Sequence, residues 1–194
     1  GHEVTVVACK DAYKVHGTGS LTMAPCDDDG VTVHHLESGF GTLSPLITQQ
    51  TGQPGLKASA LKKILAAPFD VLNFHNISLI GGPGVLTLGS APVRLYTLHE
   101  HWLLCATHIF WKNGEKACDR PTCLRCSIRS GIPPQLWRYT GLRDRSLARI
   151  DRMLSPSEYT AQRHRDGGIE RPISVLPLFS SLCLPAKFRQ EPSK

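Results

Sequence analysis

The chain has no stretch that suits a lipid bilayer. Its longest uncharged run, residues 71–93, is interrupted by His75, Asn76, Ser78, the tetrapeptide GGPG and Thr87, whereas a membrane helix needs about 20 mostly apolar residues. No signal peptide opens it, and the first residue is Gly rather than Met. The motifs of several common chemistries are missing too: there is no G-x-S-x-G, no P-loop and no G-x-G-x-x-G. The Gly82-Pro83-Gly84 loop is rigid and lacks the lysine that a phosphate loop uses. A zincin helix is excluded as well, because Trp102 and Leu103 stand where the second histidine of His-Glu-x-x-His belongs.

What is present suits one globular domain. A length of 194 residues, with 41% apolar and 20% charged residues, is enough for a real hydrophobic core and excludes disordered or fibrous classes. Seven cysteines is an odd count, and four of them fall between positions 105 and 126. That crowding fits thiols held as metal ligands in a reducing compartment better than a secreted disulfide framework, so the expected location is the cytoplasm. The net charge of +6 is regional: residues 112–165 hold twelve Lys or Arg against five Asp or Glu, and the remainder carries −1. A basic region of this kind attracts phosphate in any form, including a nucleotide diphosphate or the anionic inner face of a membrane.

Hydrophobic patterning alternates strand and helix. Residues 4–8 and 31–36 read as strands, 37–55 as a long Gly-, Pro- and Ser-rich loop, and 56–67 as a helix stopped by Pro68. On that helix Leu56, Ala60, Leu61, Ile64 and Leu65 share one face and Lys57, Lys62 and Lys63 the other. Residues 71–74 form a short strand running into His75 and Asn76, and 93–98 a second strand running into His99. Helical character resumes after Pro134, with Leu136, Tyr139, Leu142, Leu147 and Ile150 on one face, and 173–176 is a last strand. The predicted fold is α/β, a Rossmann-like parallel sheet with helices on both faces. A Cys-rich insertion spans 101–134, and a polar tail occupies 179–194.

Three constellations carry chemistry. His75 and His99 each end a strand, where open parallel sheets bind ligands, and Glu100 follows His99 directly. Cys105, Cys118, Cys123 and Cys126 form C-x12-C-x4-C-x2-C, with His108 as an alternative ligand. Closely spaced soft thiolates suit a tetrahedral Zn²⁺ that holds an aperiodic loop; an iron-sulfur cluster, free thiols or a disulfide are the alternatives. Third, Ser155-Pro156-Ser157-Glu158 reads as a helix start, with Ser155 as cap and Glu158 closing a capping box. Its free N–H groups offer Ser155 and Ser157 as a phosphate or carboxylate site, although such a box is more often only structural.

The segments GHEVTVV at the start, DVLNFHN at 70–76, LYTLHEHWLLCATHIFWKNGEKACDRPTCLRC at 95–126, PPQLWRYTGL at 133–142 and SPSEYTAQRH at 155–164 resemble the N-terminal domain of bacterial family 4 glycosyltransferases, the retaining GT-B type. The resemblance covers about residues 1–178 and implies transfer of a sugar from a nucleotide-sugar to an acceptor in a cleft between two Rossmann-like domains. By that resemblance His99 reaches the donor sugar, Glu100 orients it, and His75 with Asn76 lines the acceptor side. The first strand, the Gly-rich loop and the nucleotide-gripping second domain of that family have no counterpart in this sequence. The chain is therefore expected to be a piece of such an enzyme, inactive alone. The competing classes are a zinc-containing nucleic-acid-binding module displaying the basic segment 135–152, and a non-catalytic binding remnant. The sheet continuous with that segment, and the scattered placement of the three Trp, disfavour the nucleic-acid reading.

Overall fold

The computed structural model describes residues 1–15, 30–112, 115–118 and 122–178. The polar tail 179–194 lies outside the described residues. The chain opens with β1 (Val4–Cys9), α1 (Lys10–Val15), β2 (Val31–Leu36), α2 (Leu43–Thr51), a 3-10 turn (Gly55–Lys57) and α3 (Ala58–Ile64). Next come β3 (Val71–His75), a 3-10 turn (Pro83–Thr87), β4 (Val93–Thr97), the short hairpin β5 (Trp111–Lys112) and β6 (Lys116–Ala117), and α4 (Cys123–Arg129). It ends with a 3-10 turn (Leu136–Tyr139), α5 (Leu142–Leu147), β7 (Arg152–Ser155), α6 (Glu158–Asp166) and β8 (Ile173–Val175).

The sheet is parallel and Rossmann-like. Strands β3, β4, β7 and β8 lie side by side in that order, and β1 pairs with β2 as a separate parallel pair. Parallel neighbours require crossovers, which explains why helices and turns intervene between successive strands. Alternation on β3 buries Leu72 and Phe74 and leaves Val71, Asn73 and His75 outward. These side chains join Tyr96, Leu98, Met153, Ile150, Leu147 and Leu61 in one core. The first strand differs from the expected buried one: Val4 and Val6 are 44% and 42% exposed, and within β1 only Cys9 is buried.

A buried arginine fastens the middle of this sheet. Arg94 on β4 donates to the carbonyls of Leu86, Leu88, Gly89 and Arg149, and its backbone N–H donates to the Asp151 carboxylate at 2.8 Å. The guanidinium N–H donors, held in a fixed fork, satisfy the buried Leu86 carbonyl and three part-buried ones. The guanidinium also lies 5.5 Å from the Phe74 ring centroid. Burial, and then Arg149, lower its pKa, with Asp151 opposing.

Several sequence expectations are corrected. The expected loop 37–55 contains α2, whose buried face is Ser44, Pro45 and Thr48 rather than apolar residues. That face receives Lys57, whose Nζ donates to Ser44 Oγ at 2.8 Å and Thr48 Oγ1 at 3.1 Å. Lys57 is therefore buried, not on the solvent face of the following helix, while Leu56 is exposed. The expected helix after Pro134 is a 3-10 turn and α5 divided at Gly141, where φ is +69°. Trp137 points inward there, and Leu136 and Tyr139 are exposed. Within the segment 101–134, Trp102, Leu103 and Ala106 are buried, and the first two belong to the main core.

Candidate active site

Strands β3, β4 and β7 all end at one edge of the sheet, and the sequence places a polar residue just past each end. Register fixes how they meet. His75 pairs opposite Thr97, so His99 lies two residues beyond it on the neighbouring strand. His75 Nδ1 and His99 Nε2 are 2.8 Å apart, and the ring centroids are separated by 5.1 Å. One ring must donate and the other accept, so two neutral rings present one N–H and one lone pair outward. Burial, then the neighbouring His99, hold the His75 pKa below its ordinary value. Below the pair, Thr97 Oγ1 donates to Asn73 Oδ1 at 3.0 Å.

Glu100 does not orient His99 as the resemblance implied. Its Oε2 meets His108 Nδ1 at 2.6 Å, and the ring partner of His99 is His75. Adjacent residues at a strand end point to different sides, which explains the divergence. Both members of the Glu100–His108 pair are about one third exposed (34% each), so the pair is worth about 0–1 kcal/mol. His108 is thereby engaged with Glu100, and it does not line the cavity around the cysteines.

A second aromatic layer lies behind Glu100. His101 stacks on His164 with centroids 5.5 Å apart and planes at 19°, and touches Phe110 and Tyr159. Arg163 lies over the Phe110 ring at 4.5 Å. Burial is the main cause that lowers the pKa of both histidines, that of His164 to about 4. Sequence reading missed this layer. Its signal was the pair of histidines His101, just past β4, and His164 on α6, whose meeting depends on how α6 packs beside the sheet edge.

Among the described residues, Asn76, His108 and Phe110 are the non-glycine positions with positive φ, at +43°, +69° and +53°. Asn76 follows His75, His108 binds Glu100, and Phe110 packs on His101. Unusual backbone of this kind concentrates at functional sites, and here all three positions adjoin the strand ends.

Ser155 and Ser157 also reach this edge, through β7. The cap is shifted from the expected position: Ser155 completes β7 and donates from Oγ to the Ser157 carbonyl, while Ser157 caps α6 by accepting from Thr160 N–H at 3.2 Å. Glu158 pairs with Arg165 at 2.7 Å instead of closing a box.

The four cysteines gather away from the histidine pair, around a cavity of about 20 Å³. None is joined in a disulfide. Burial raises the pKa values of Cys118 and Cys123, and the nearby cysteines add to the rise. Among the described residues, no three His, Cys, Asp or Glu side chains are arranged to hold a metal ion.

With a parallel sheet, a histidine pair on its carboxyl edge and a cysteine-bearing segment beside it, comparison with known families becomes decisive. The glycosyl transferase 4-like domain model matches residues 1–178. The chain belongs to that family. No curated protein and no solved structure matches it significantly. Among the described residues no helix is long and apolar enough to cross a membrane.

Proposed function

We propose that this domain takes part in transfer of a hexosyl group from a nucleotide-sugar to a glycan, lipid or small-molecule acceptor, with the anomeric configuration retained. Residues 1–178 form the acceptor-side wall, and a nucleotide-gripping second domain forms the other. The observation that carries the reading is the His75–His99 pair, held at 2.8 Å on the carboxyl edge of a parallel sheet in a member of this family. His99 hydrogen-bonds the donor sugar near the reacting carbon. His75 sets which nitrogen of His99 is a donor, and with Asn76 it faces the acceptor. Glu100 acts through His108, shaping the adjoining loop, and the α6 start at Ser157, preceded by Ser155, borders the site. Donors aimed at developing charge are the positioned electrostatics that glycosyl transfer needs.

The domain is placed in the cytoplasm, with peripheral contact at the inner face of an anionic membrane. Support for that contact comes from an open groove lined by Leu124, Ile128 and Tyr139 beside Arg125. Nucleic-acid binding gains no such support. Arg138 donates inward to the Trp102 and Leu103 carbonyls, Arg145 to the Thr140 carbonyl, and Arg129 and Arg143 pair with Glu115 and Asp144.

The test supplies the chain, alone and together with a nucleotide-binding domain of the same family, with a panel of nucleotide-sugars and acceptors. Release of nucleoside diphosphate is measured, and product anomers are assigned by NMR. Turnover is expected only with both domains, and His99→Ala lowers kcat/KM by about 10²-fold or more. An unchanged kcat/KM in His99→Ala, or product of inverted configuration, overturns the reading. Turnover by the chain alone overturns the need for a second domain.

A further inference from the structure

Cys105, Cys118, Cys123 and Cys126 have no role in the sugar site, yet three separate stretches of chain bring them to one cavity of about 20 Å³. Cys105 is buried three residues after Trp102, Cys118 follows β6, and Cys123 and Cys126 lie on successive turns of α4. Their backbones are fixed by local bonds. Cys105 N–H donates to the His101 carbonyl at 2.8 Å, Cys118 N–H to Phe110 at 2.7 Å and Cys126 N–H to Thr122 at 3.0 Å. Thr107, Trp111 and Lys112 complete the wall.

The local architecture needs such a group. Two strands of two residues and a helix of seven are too short to be stable by themselves. α4 buries only Ser127 fully and leaves Leu124 and Ile128 47% and 63% exposed. Among the described residues of this segment, hydrophobic burial therefore holds little. Four soft sulfur donors around a void with room for one small ion provide another means.

We propose that Cys105, Cys118, Cys123 and Cys126 bind one structural Zn²⁺ as a tetrahedral four-thiolate site. The sulfurs do not stand in ligand geometry in this structure; binding draws them together by side-chain rotation about the fixed backbones and closes the cavity. Four S–H bonds are replaced by four Zn–S bonds, and four protons leave to solvent. The complex carries a net charge of two minus, which Lys112 in the wall and Arg138 beside Cys123 and Cys105 offset. No external position is left open, so the ion is a staple and not a catalyst. The inference is independent of the transferase reading, and its failure would leave that reading untouched.

The chain is purified without added metal or chelator, and its zinc content and reactive thiols are measured before and after chelation. About one Zn²⁺ per chain is expected, with about four further thiols becoming reactive once it is removed. Refilling with Co²⁺ gives the intense visible bands of a tetrahedral thiolate site. Cys123→Ser with Cys126→Ser abolishes this uptake; should that variant fail to fold, the thiol count and the cobalt spectrum of the unsubstituted chain decide. Zinc below about a tenth of an equivalent, iron with labile sulfide, a disulfide among the four, or thiols equally reactive before and after chelation would each overturn the proposal.

Discussion

Acid stability tests the burial of the aromatic layer directly, through His164. Its ring is fully buried, its Nδ1 lies 2.7 Å from the Thr160 carbonyl, and its Nε2 is buried without a partner. A carbonyl only accepts, so Nδ1 carries the proton and Nε2 the lone pair. Burial is the main cause that lowers the pKa from 6.5 to about 4; the Thr160 carbonyl opposes it, and His101 and Arg143 add to it. The unfolded chain takes up this proton near pH 6.5 and the folded chain only near 4. On acidification the unfolded state therefore binds the proton first, and stability is lost between those two values. The whole separation is worth about 3 kcal/mol, of which about 2.5 kcal/mol is already lost at about pH 4.5. His164→Asn keeps a donor for the Thr160 carbonyl and does not titrate. It loses ring packing at every pH, and that constant cost cancels when two pH values are compared. Urea unfolding of both proteins at about pH 7.5 and about pH 4.5 should show the stability gap between them narrowing by about 2.5 kcal/mol in acid. A gap that changes by less than about 0.5 kcal/mol would show that the ring is not held neutral by its surroundings.

Two further substitutions probe the scaffold. Ser157→Ala should cost about 1 kcal/mol in urea unfolding, because it removes the acceptor for the Thr160 N–H, while Ser157→Asp should keep the cap; equal loss in both would place the cap elsewhere. Arg94→Met should cost about 3–5 kcal/mol, since it removes a buried guanidinium that donates to one buried and three part-buried carbonyls. Its melting temperature should fall by about 10 °C or more, and Arg94→Lys, lacking the planar fork, should recover little of it.

Strands β3, β4 and β8 were legible because each is a short apolar or β-branched run bounded by turn residues, and parallel order followed from the intervening segments. α2 was not, because its buried face consists of Ser44, Pro45 and Thr48 arranged to receive Lys57. Periodicity measures apolar spacing and is blind to a helix that buries hydroxyl groups around a lysine. β7 was hidden for another reason: four residues with an arginine at the start follow directly on helical periodicity, and its misreading as helix approach placed the cap at Ser155, two residues early. Strand-end reasoning put His75 and His99 on one edge, but only the β3–β4 register joins them. Glu100 shows the limit of adjacency in sequence, since its carboxylate goes to His108 nine positions past His99.

The two halves of the site are held by different means, and this bears on how it works. His75 ends β3 and His99 lies two residues past the end of β4, so the β3–β4 register, which pairs His75 with Thr97, brings the two rings together. His108 and Phe110 instead occupy left-handed backbone on a short loop, and the structure shows what holds each: Glu100 for one, His101 stacked on His164 for the other. That loop runs directly from Cys105 to the β5–β6 hairpin, whose return is fixed by the Cys118 N–H on the Phe110 carbonyl. A bridge among the cysteines would therefore act on the same turn that carries His108 and Phe110, while leaving the strand-end pair where the sheet puts it.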